Sequence, residues 1–252
     1  MIVEPLFYAA AIPAVILMGL SKGGFAGLGL LALPLMALVV SPVQAAAIML
    51  PILLVQDVVT VWAYRRTWSG RALALLTPGV LAGILLGTLL AARVSDGAVK
   101  LAVGLISIAF AVRRLWLEGR DATPAATRPG LAAGSFWGVI CGFTSMIAHA
   151  GGPPFQVYLL PQRLARDVFV GTGAVFFAAV NWIKVPPYIL LGQFTPENVW
   201  TSAALFPVAL ASTLAGVWLV RRVRVERLYA IIYALLILVG LKLSTDGLAG
   251  LL

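Results

Sequence analysis

Long apolar stretches alternate with short polar segments along the whole chain. Eight such stretches can be marked, over residues 5–40, 43–64, 71–92, 97–117, 130–160, 167–191, 197–220 and 226–243. Within each stretch the apolar residues are nearly continuous, which excludes the alternating strands of a membrane β-barrel. Six stretches have about the ~20 residues that one membrane crossing requires. We therefore predict an all-α, polytopic membrane protein.

The composition supports this prediction. The chain of 252 residues is 62% hydrophobic and 11% charged, and its mean hydropathy is +1.03. Soluble domains do not have this balance. The N-terminal segment lacks the basic region and cleavage site of a signal peptide, and we expect it to be retained. The net charge of +9 is typical of basic cytoplasmic loops in a membrane protein, so a nucleic-acid partner is not expected.

The first and fifth stretches are too long for one crossing and are interrupted by glycine, in SKGGFAGLG at 21–29 and HAGGPP at 149–154. Each could be one long tilted helix or a hairpin, either re-entrant or fully crossing. The hairpin model collects most of the 18 basic residues on one face, in the loops 65–71, 113–128, 163–166 and 221–227. Basic residues concentrate on the cytoplasmic side, so we predict hairpins and periplasmic termini, in a bacterial inner membrane.

The two halves of the chain repeat the same features in the same order. Pro78 and Gly87 recur as Pro207 and Gly216, at one common offset. With a hairpin in each half, the halves cross the membrane an odd number of times and are oppositely oriented, as in many secondary transporters. We predict two inverted-topology repeats, each a glycine-broken helical hairpin plus three transmembrane helices. They span 1–118 and 130–252 and are joined by a cytoplasmic linker at 119–129.

Each half opens with a glycine-rich element, GLSKGGFAGLG at 19–29 and GFTSMIAHAGG at 142–152. In these elements, in length and in repeat, the chain resembles the TauE/SafE family of sulfite exporters. The resemblance implies a polytopic bacterial permease that exports sulfite, sulfonates or related sulfur anions. The second element departs from the plain glycine-rich form through Met146–His149, which stand before its glycines.

The glycine elements also form the predicted anion site. A half-helix that starts after a glycine turn presents free N–H groups and the positive end of its dipole, and Pro153 and Pro154 suit its first turn. Lys22 is the predicted counter-charge, since a buried charge costs at least ~3 kcal/mol. The predicted substrate-binding residues are Ser21, Lys22, Gly23, Gly24, Thr144, Ser145, His149, Gly151 and Gly152.

His149 and Asp57 are the candidates for proton coupling. Imidazole titrates near pH ~6.5, and a carboxylate within an apolar run is a candidate for a proton relay or an ion pair. His149 is also matched with Lys22 as its counterpart in the second half. Secondary polar candidates are Gln56, Asn181 and Lys184. Structural alternatives stay open: a wet surface for Lys22, core packing for His149 and an outward-reaching side chain for Lys184.

Three functions remain in view. The first is an inner-membrane secondary transporter that exports a small sulfur-containing anion, held at the midplane between the two hairpin tips. A passive anion channel is the second. The third, an intramembrane hydrolase with Ser145 as nucleophile and His149 as base, leaves the duplicated halves unexplained. We expect no enzyme activity, cofactor or metal. The expected partners are a small anion and the bilayer, with protons and a second copy of the chain left open.

Overall fold

The computed structural model describes residues 1–25, 27–91, 93–118, 128–220, 222 and 226–251. The regular secondary structure of these residues is entirely helical, with no strand among them. The α-helices are α1 (Pro5–Gly23), α2 (Ala32–Met36), α3 (Pro42–Tyr64), α4 (Gly70–Ala91), α5 (Asp96–Glu118), α6 (Leu131–Ala148), α7 (Gly152–Leu159), α8 (Arg166–Leu190), α9 (Pro196–Leu219) and α10 (Glu226–Ala249), and short 3₁₀-helices span Leu28–Leu31 and Leu160–Gln162.

Seven helices in the described part of the chain are long and apolar enough to cross a membrane. They are α1, α3, α4, α6, α8, α9 and the Ile231–Ala249 part of α10. The predicted all-α membrane fold is thereby confirmed. The predicted linker at 119–129 lies, over residues 119–127, outside the described residues.

Both of the overlong apolar stretches fold as helical hairpins. After α1, Gly24 and Gly27 take φ angles of 132° and 107°, which glycine adopts without the steric cost of a Cβ atom. The chain then turns, and the 3₁₀-helix and α2 pack back along α1. In the second stretch the chain turns after α6, and α7 packs back along α6. The glycine interruptions therefore mark the turns.

Polar contacts bring three polar segments to one end of the bundle. The Ser69 N–H donates to Thr172 Oγ1 at 2.9 Å, which places the 65–69 loop beside the start of α8. Arg166 donates to the carbonyl oxygen of Val220 at 2.7 Å, which places the start of α8 beside the end of α9. We call this end, defined by residues 65–69, 163–166, 220 and 222, the arginine end.

The chain termini lie at the opposite end. The Ile2 N–H donates to Thr201 Oγ1 at 2.9 Å, so the N-terminus lies beside the start of α9. Gln44 donates to Asn198 at 3.3 Å, which brings the start of α3 to the same place. A Cβ at Gly97 would lie 3.1 Å from the backbone of Gly250, so α10 finishes beside the start of α5.

Glycines bring the long helices into close contact. Gly79, Gly83 and Gly87 face α6, and a Cβ atom at Gly83 would lie 2.1 Å from the carbonyl oxygen of Val139. The spacing of these glycines, every fourth residue, predicts such a contact, and the structure confirms it. Close approach matters in lipid because helices there associate through van der Waals packing and not through a hydrophobic driving force.

Candidate functional site

The buried charges of the protein lie where α3 and α8 pack against each other. In the part of the chain that the structure describes, the fully buried charged residues are Asp57 on α3 and Lys184 on α8, with 2% and 0% of their surface exposed. A charge inside a membrane protein is expensive and is retained with partners or for a function. The surroundings of these two residues therefore define the candidate site.

Asp57 joins three helices. Its Oδ1 forms an ion pair with the Lys22 ammonium of α1, and its Oδ2 accepts a hydrogen bond from the Asn181 amide of α8 at 2.7 Å. The Lys22 side chain is turned inward and is only 10% exposed. The lysine predicted to be the counter-charge of a substrate thus has a counter-ion within the protein, and it does not lie at a wet surface.

Lys184 is surrounded by neutral acceptors. Its ammonium donates to the carbonyl oxygen and to the Oγ of Ser145, both at 3.2 Å, and contacts His149 Nδ1 at 2.7 Å. These three acceptors match the three protons of an ammonium group. The alternative of a side chain reaching outward to the membrane surface is wrong for Lys184, because it is completely buried.

The contacts of His149 define its tautomer. Nε2 lies 2.9 Å from the carbonyl oxygen of Ala46, which can only accept, so we assign the ring proton to Nε2. Nδ1 is then the acceptor for Lys184. Both nitrogens are occupied, so the geometry lacks the nucleophile–base hydrogen bond between Ser145 and His149 that the hydrolase hypothesis requires.

The backbone at His149 explains how the ring reaches these partners. His149 follows the last residue of α6 in the left-handed conformation, with φ 49° and ψ 23°. The Ala150 N–H donates to the Thr144 carbonyl at 3.2 Å, completing the hydrogen-bond pattern that closes many helices. Glycine is usual at this position, and a side chain there costs about 1 kcal/mol. The histidine is therefore held in a conformation that its own backbone disfavours.

Two tyrosines hold the ends of α1 and α6 in the same way. Tyr64 donates to the Gly23 carbonyl at 2.8 Å, and Tyr188 donates to the Met146 carbonyl at 3.1 Å. By these contacts, Gly23 in α1 and Met146 in α6 occupy comparable positions. The residues that precede them, Lys22 and Ser145, are then comparable as well. His149, which the sequence analysis matched with Lys22, lies one helical turn after Ser145.

A cavity of about 130 Å³ lies between the first hairpin turn, α7 and α8. Its polar lining comes from Ser21, Lys22, Ser145, His149, Gln156 and Asn181. Phe155, Phe169 and Phe177 supply much of its apolar wall. Among the other predicted site residues, Gly24 and Gly152 also line the cavity. The cavity thus brings together polar groups from both hairpins. Gln156, on the short helix α7, was missed because an isolated glutamine carries no sequence signal.

Three predicted site residues have packing contacts instead. A Cβ at Gly23 would lie 2.4 Å from the backbone of Gly216, so this glycine permits the contact between α1 and α9. Thr144 donates back to the Ile140 carbonyl at 2.7 Å, and the Gly151 carbonyl accepts from Cys141 at 3.1 Å. Three further candidates also lie outside the lining: Gln56, which donates to the Val15 carbonyl at 3.3 Å, Asp57 and Lys184.

The first turn of α7 offers fewer N–H donors than the sequence analysis predicts. Pro153 and Pro154 have no N–H, and the N–H of Phe155 donates to the Gly151 carbonyl at 3.2 Å. Gly152 supplies the remaining donor of this turn. The prolines suit the start of the helix but lack the backbone N–H groups that could bind an anion. An anion here would therefore depend mainly on side chains.

The two hairpin turns lie toward opposite ends of the bundle. Gly24 packs against Val220 at the arginine end, whereas His149 contacts Ala46, about one turn after α3 begins at the opposite end. With 19 residues, α1 is about 28 Å long, which nearly matches the ~30 Å hydrocarbon thickness. The tips therefore do not meet at mid-depth as expected, and the side chains of Lys22, Asp57 and Asn181 bridge the space between them.

Comparison with known protein families identifies the chain's family. The family model described as sulfite exporter TauE/SafE matches residues 11–243, a range that includes every residue of the candidate site. No curated protein and no solved structure matches the chain. The match covers most of the chain, and with the seven membrane-length helices it indicates a multi-pass membrane transport protein. The chain belongs to the TauE/SafE family of sulfite exporters.

Proposed function

We propose that the protein is an inner-membrane secondary transporter that exports a small sulfur-containing anion, such as sulfite, thiosulfate or an organosulfonate. The observation that carries this proposal is the cavity between the two hairpins, where a lysine, an imidazole and several hydroxyl and amide groups face one interior space. Sulfur oxyanions need several hydrogen-bond donors around them, and an apolar wall strengthens those contacts by excluding water.

The directions of the helices support inverted repeats over 1–118 and 130–252. In the first half, α1 and α3 run toward the arginine end and α4 runs away from it; in the second half, α6 and α8 run away and α9 runs toward it. The helix contacts show the same relation between the halves. The first helix of the first half, α1, packs along α9 of the second half, and the first helix of the second half, α6, packs along α4 of the first. Such repeats commonly alternate access to a central site.

The proposed orientation follows from the same end-to-end arrangement. Arginine-rich loops concentrate on the cytoplasmic side, so we assign the arginine end to the cytoplasm and both termini to the periplasm. In this orientation the Gly24 turn faces the cytoplasm and the His149 turn faces the periplasm. Export then carries the anion from the first hairpin toward the second.

The ion pair in the site suggests how protons enter the cycle. Lys22 is neutralised by Asp57, so an anion must compete with this carboxylate for the ammonium. A proton on Asp57 would remove the competitor and free Lys22 for the anion. His149 is the second proton candidate, because a proton on Nδ1 would replace the lone pair that accepts from Lys184.

The direct test is transport and binding by the purified protein in proteoliposomes, with sulfite, thiosulfate, sulfate, sulfoacetate and zwitterionic taurine. We expect the anions to be preferred over taurine. We expect the Lys22→Ala variant to bind anions at least ~10-fold more weakly and also to unfold at a lower temperature, because Asp57 loses its ion-pair partner. A passive channel is the competing function. It would equilibrate the anion but would not accumulate it when a pH gradient is imposed. If no member of the panel binds to the native protein, the proposal is refuted.

A further inference from the structure

The charges around the cavity do not cancel. Lys22 and Asp57 neutralise each other, whereas Lys184 makes no ion pair with any carboxylate in the described part of the chain. The hydrogen bonds of Lys184 go to a carbonyl, a hydroxyl and an imidazole, which are all neutral in the assigned tautomer. These bonds satisfy the protons of an ammonium but supply no counter-charge, so complete burial disfavours the charged form of Lys184 until an anion binds beside it.

Lys184 is separated from the cavity by a single layer of side chains. Ser145 and His149 contact Lys184 and also line the cavity. Because the Ser145 hydroxyl accepts from Lys184, its own proton is available to donate to a group in the cavity. A chain from the ammonium through this hydroxyl to a bound anion would polarise the donor and transmit the positive charge.

We infer that Lys184 carries the charge that a bound anion neutralises, so that the site takes one negative charge and prefers a sulfonate or singly charged sulfur oxyanion to a dianion. This inference rests on the proposed anion transport and specifies its substrate class. Lys184 acts through Ser145 and is a positioning and charge-compensating residue. The Lys22–Asp57 pair contributes polarity without net charge as long as Asp57 is ionised.

The test uses two probes of fixed charge, methanesulfonate with one negative charge and sulfate with two. Binding is measured by isothermal titration to the purified protein at pH ~8, where an unperturbed imidazole is neutral. We expect the native protein to bind methanesulfonate at least ~10-fold more tightly than sulfate. The Lys184→Met variant should lose at least ~10-fold in methanesulfonate affinity.

The Asp57→Asn variant provides an independent test, because it makes the charge of the site more positive, whereas Lys184→Met makes it less positive. Without its carboxylate partner, Lys22 adds a second positive charge, and the preference should shift toward sulfate by at least ~10-fold. Lys242→Met is the matched control: it removes a lysine whose ion pair, with Asp246, lies at the surface of α10, and both affinities should remain unchanged.

Each outcome decides the inference. Native affinity for methanesulfonate in a folded Lys184→Met variant would overturn it, as would an unchanged probe preference in Asp57→Asn. If neither variant folds, the preference of the native protein decides, since tighter binding of sulfate contradicts a singly charged site. These results would leave anion transport standing, whereas failure of the native protein to bind any anion would overturn the proposed function itself.

Discussion

At the scale of single residues, His149 joins two opposing requirements. Its left-handed backbone favours glycine, but its ring lies between the Ala46 carbonyl and the Lys184 ammonium, and glycine would remove one hydrogen-bond partner from each. Strain of this kind is typical of functional sites. The imidazole is also the group that titrates nearest to physiological pH when unperturbed.

The first prediction concerns this imidazole. Burial and the neighbouring Lys184 hold the pKa of His149 below its usual value. Because a bound anion favours the protonated ring, we expect anion affinity to rise as pH falls, mainly at the acid end of the measured range. The His149→Gln variant should bind with a flattened pH profile, which titration calorimetry from pH ~5 to ~8 can measure. A profile identical to that of the native protein would show that His149 does not carry the pH dependence.

The second prediction distinguishes the roles of Gly23 and Gly152, which the sequence analysis both predicted to bind substrate. The nearest atom to a Cβ at Gly152 is the Gln156 amide at 4.0 Å, so Gly152→Leu should enter the cavity and abolish anion binding while the protein stays folded. Gly23→Leu should instead destabilise the fold, because its side chain would overlap Gly216. Thermal unfolding beside anion binding distinguishes the two; equal destabilisation by both variants would contradict the assignment.

At the scale of helices, the close contact between α4 and α6 depends on glycines, which have no side chain to hold the two backbones apart. Gly83→Ala should lower the free energy of unfolding by about 2 kcal/mol or more, since its methyl group would overlap the Val139 carbonyl. Gly130→Ala is the control, as nothing lies within 4 Å of its added Cβ. Equilibrium unfolding in mixed micelles measures both, and equal stabilities would contradict the role of close packing.

The helices themselves were largely predictable from the sequence. The apolar stretch 43–64 became α3 (Pro42–Tyr64), and the stretch 71–92 became α4 (Gly70–Ala91), because hydropathy and glycine breaks are local properties. The partners of Lys22 and Lys184 were not predictable. Lys22 meets Asp57 across 35 residues, and the direction of Lys184 depends on how α8 packs against α6. Tertiary packing, and not local pattern, determines these contacts.

At the scale of the whole molecule, the position of the arginine end gives a test of topology. In a Cys141→Ser background, we expect single cysteines at Arg66 and Ala165 to react with a membrane-impermeant maleimide only after the cytoplasmic face is opened. A cysteine at Ser95, exposed at the opposite end, should react in intact spheroplasts. Labelling of position 165 from outside would refute the hairpin orientation and the inverted repeats with it.

The unequal polar residues of the two halves have a consequence for the transport cycle. A carrier with two identical halves would have inward-open and outward-open states of equal energy. In the proposed repeats Asp57 corresponds to Asn181 and Lys22 to Ser145, so the buried ion pair at the site comes from the first half, and no matching pair occupies these positions in the second. In the proposed carrier, exchanging the conformations of the halves cannot reproduce the same contacts, so we expect the two states to differ in energy and the empty carrier to rest mostly in one of them. The half-saturation concentration of the anion should then differ between the two faces of the membrane, although the final distribution still follows the gradients.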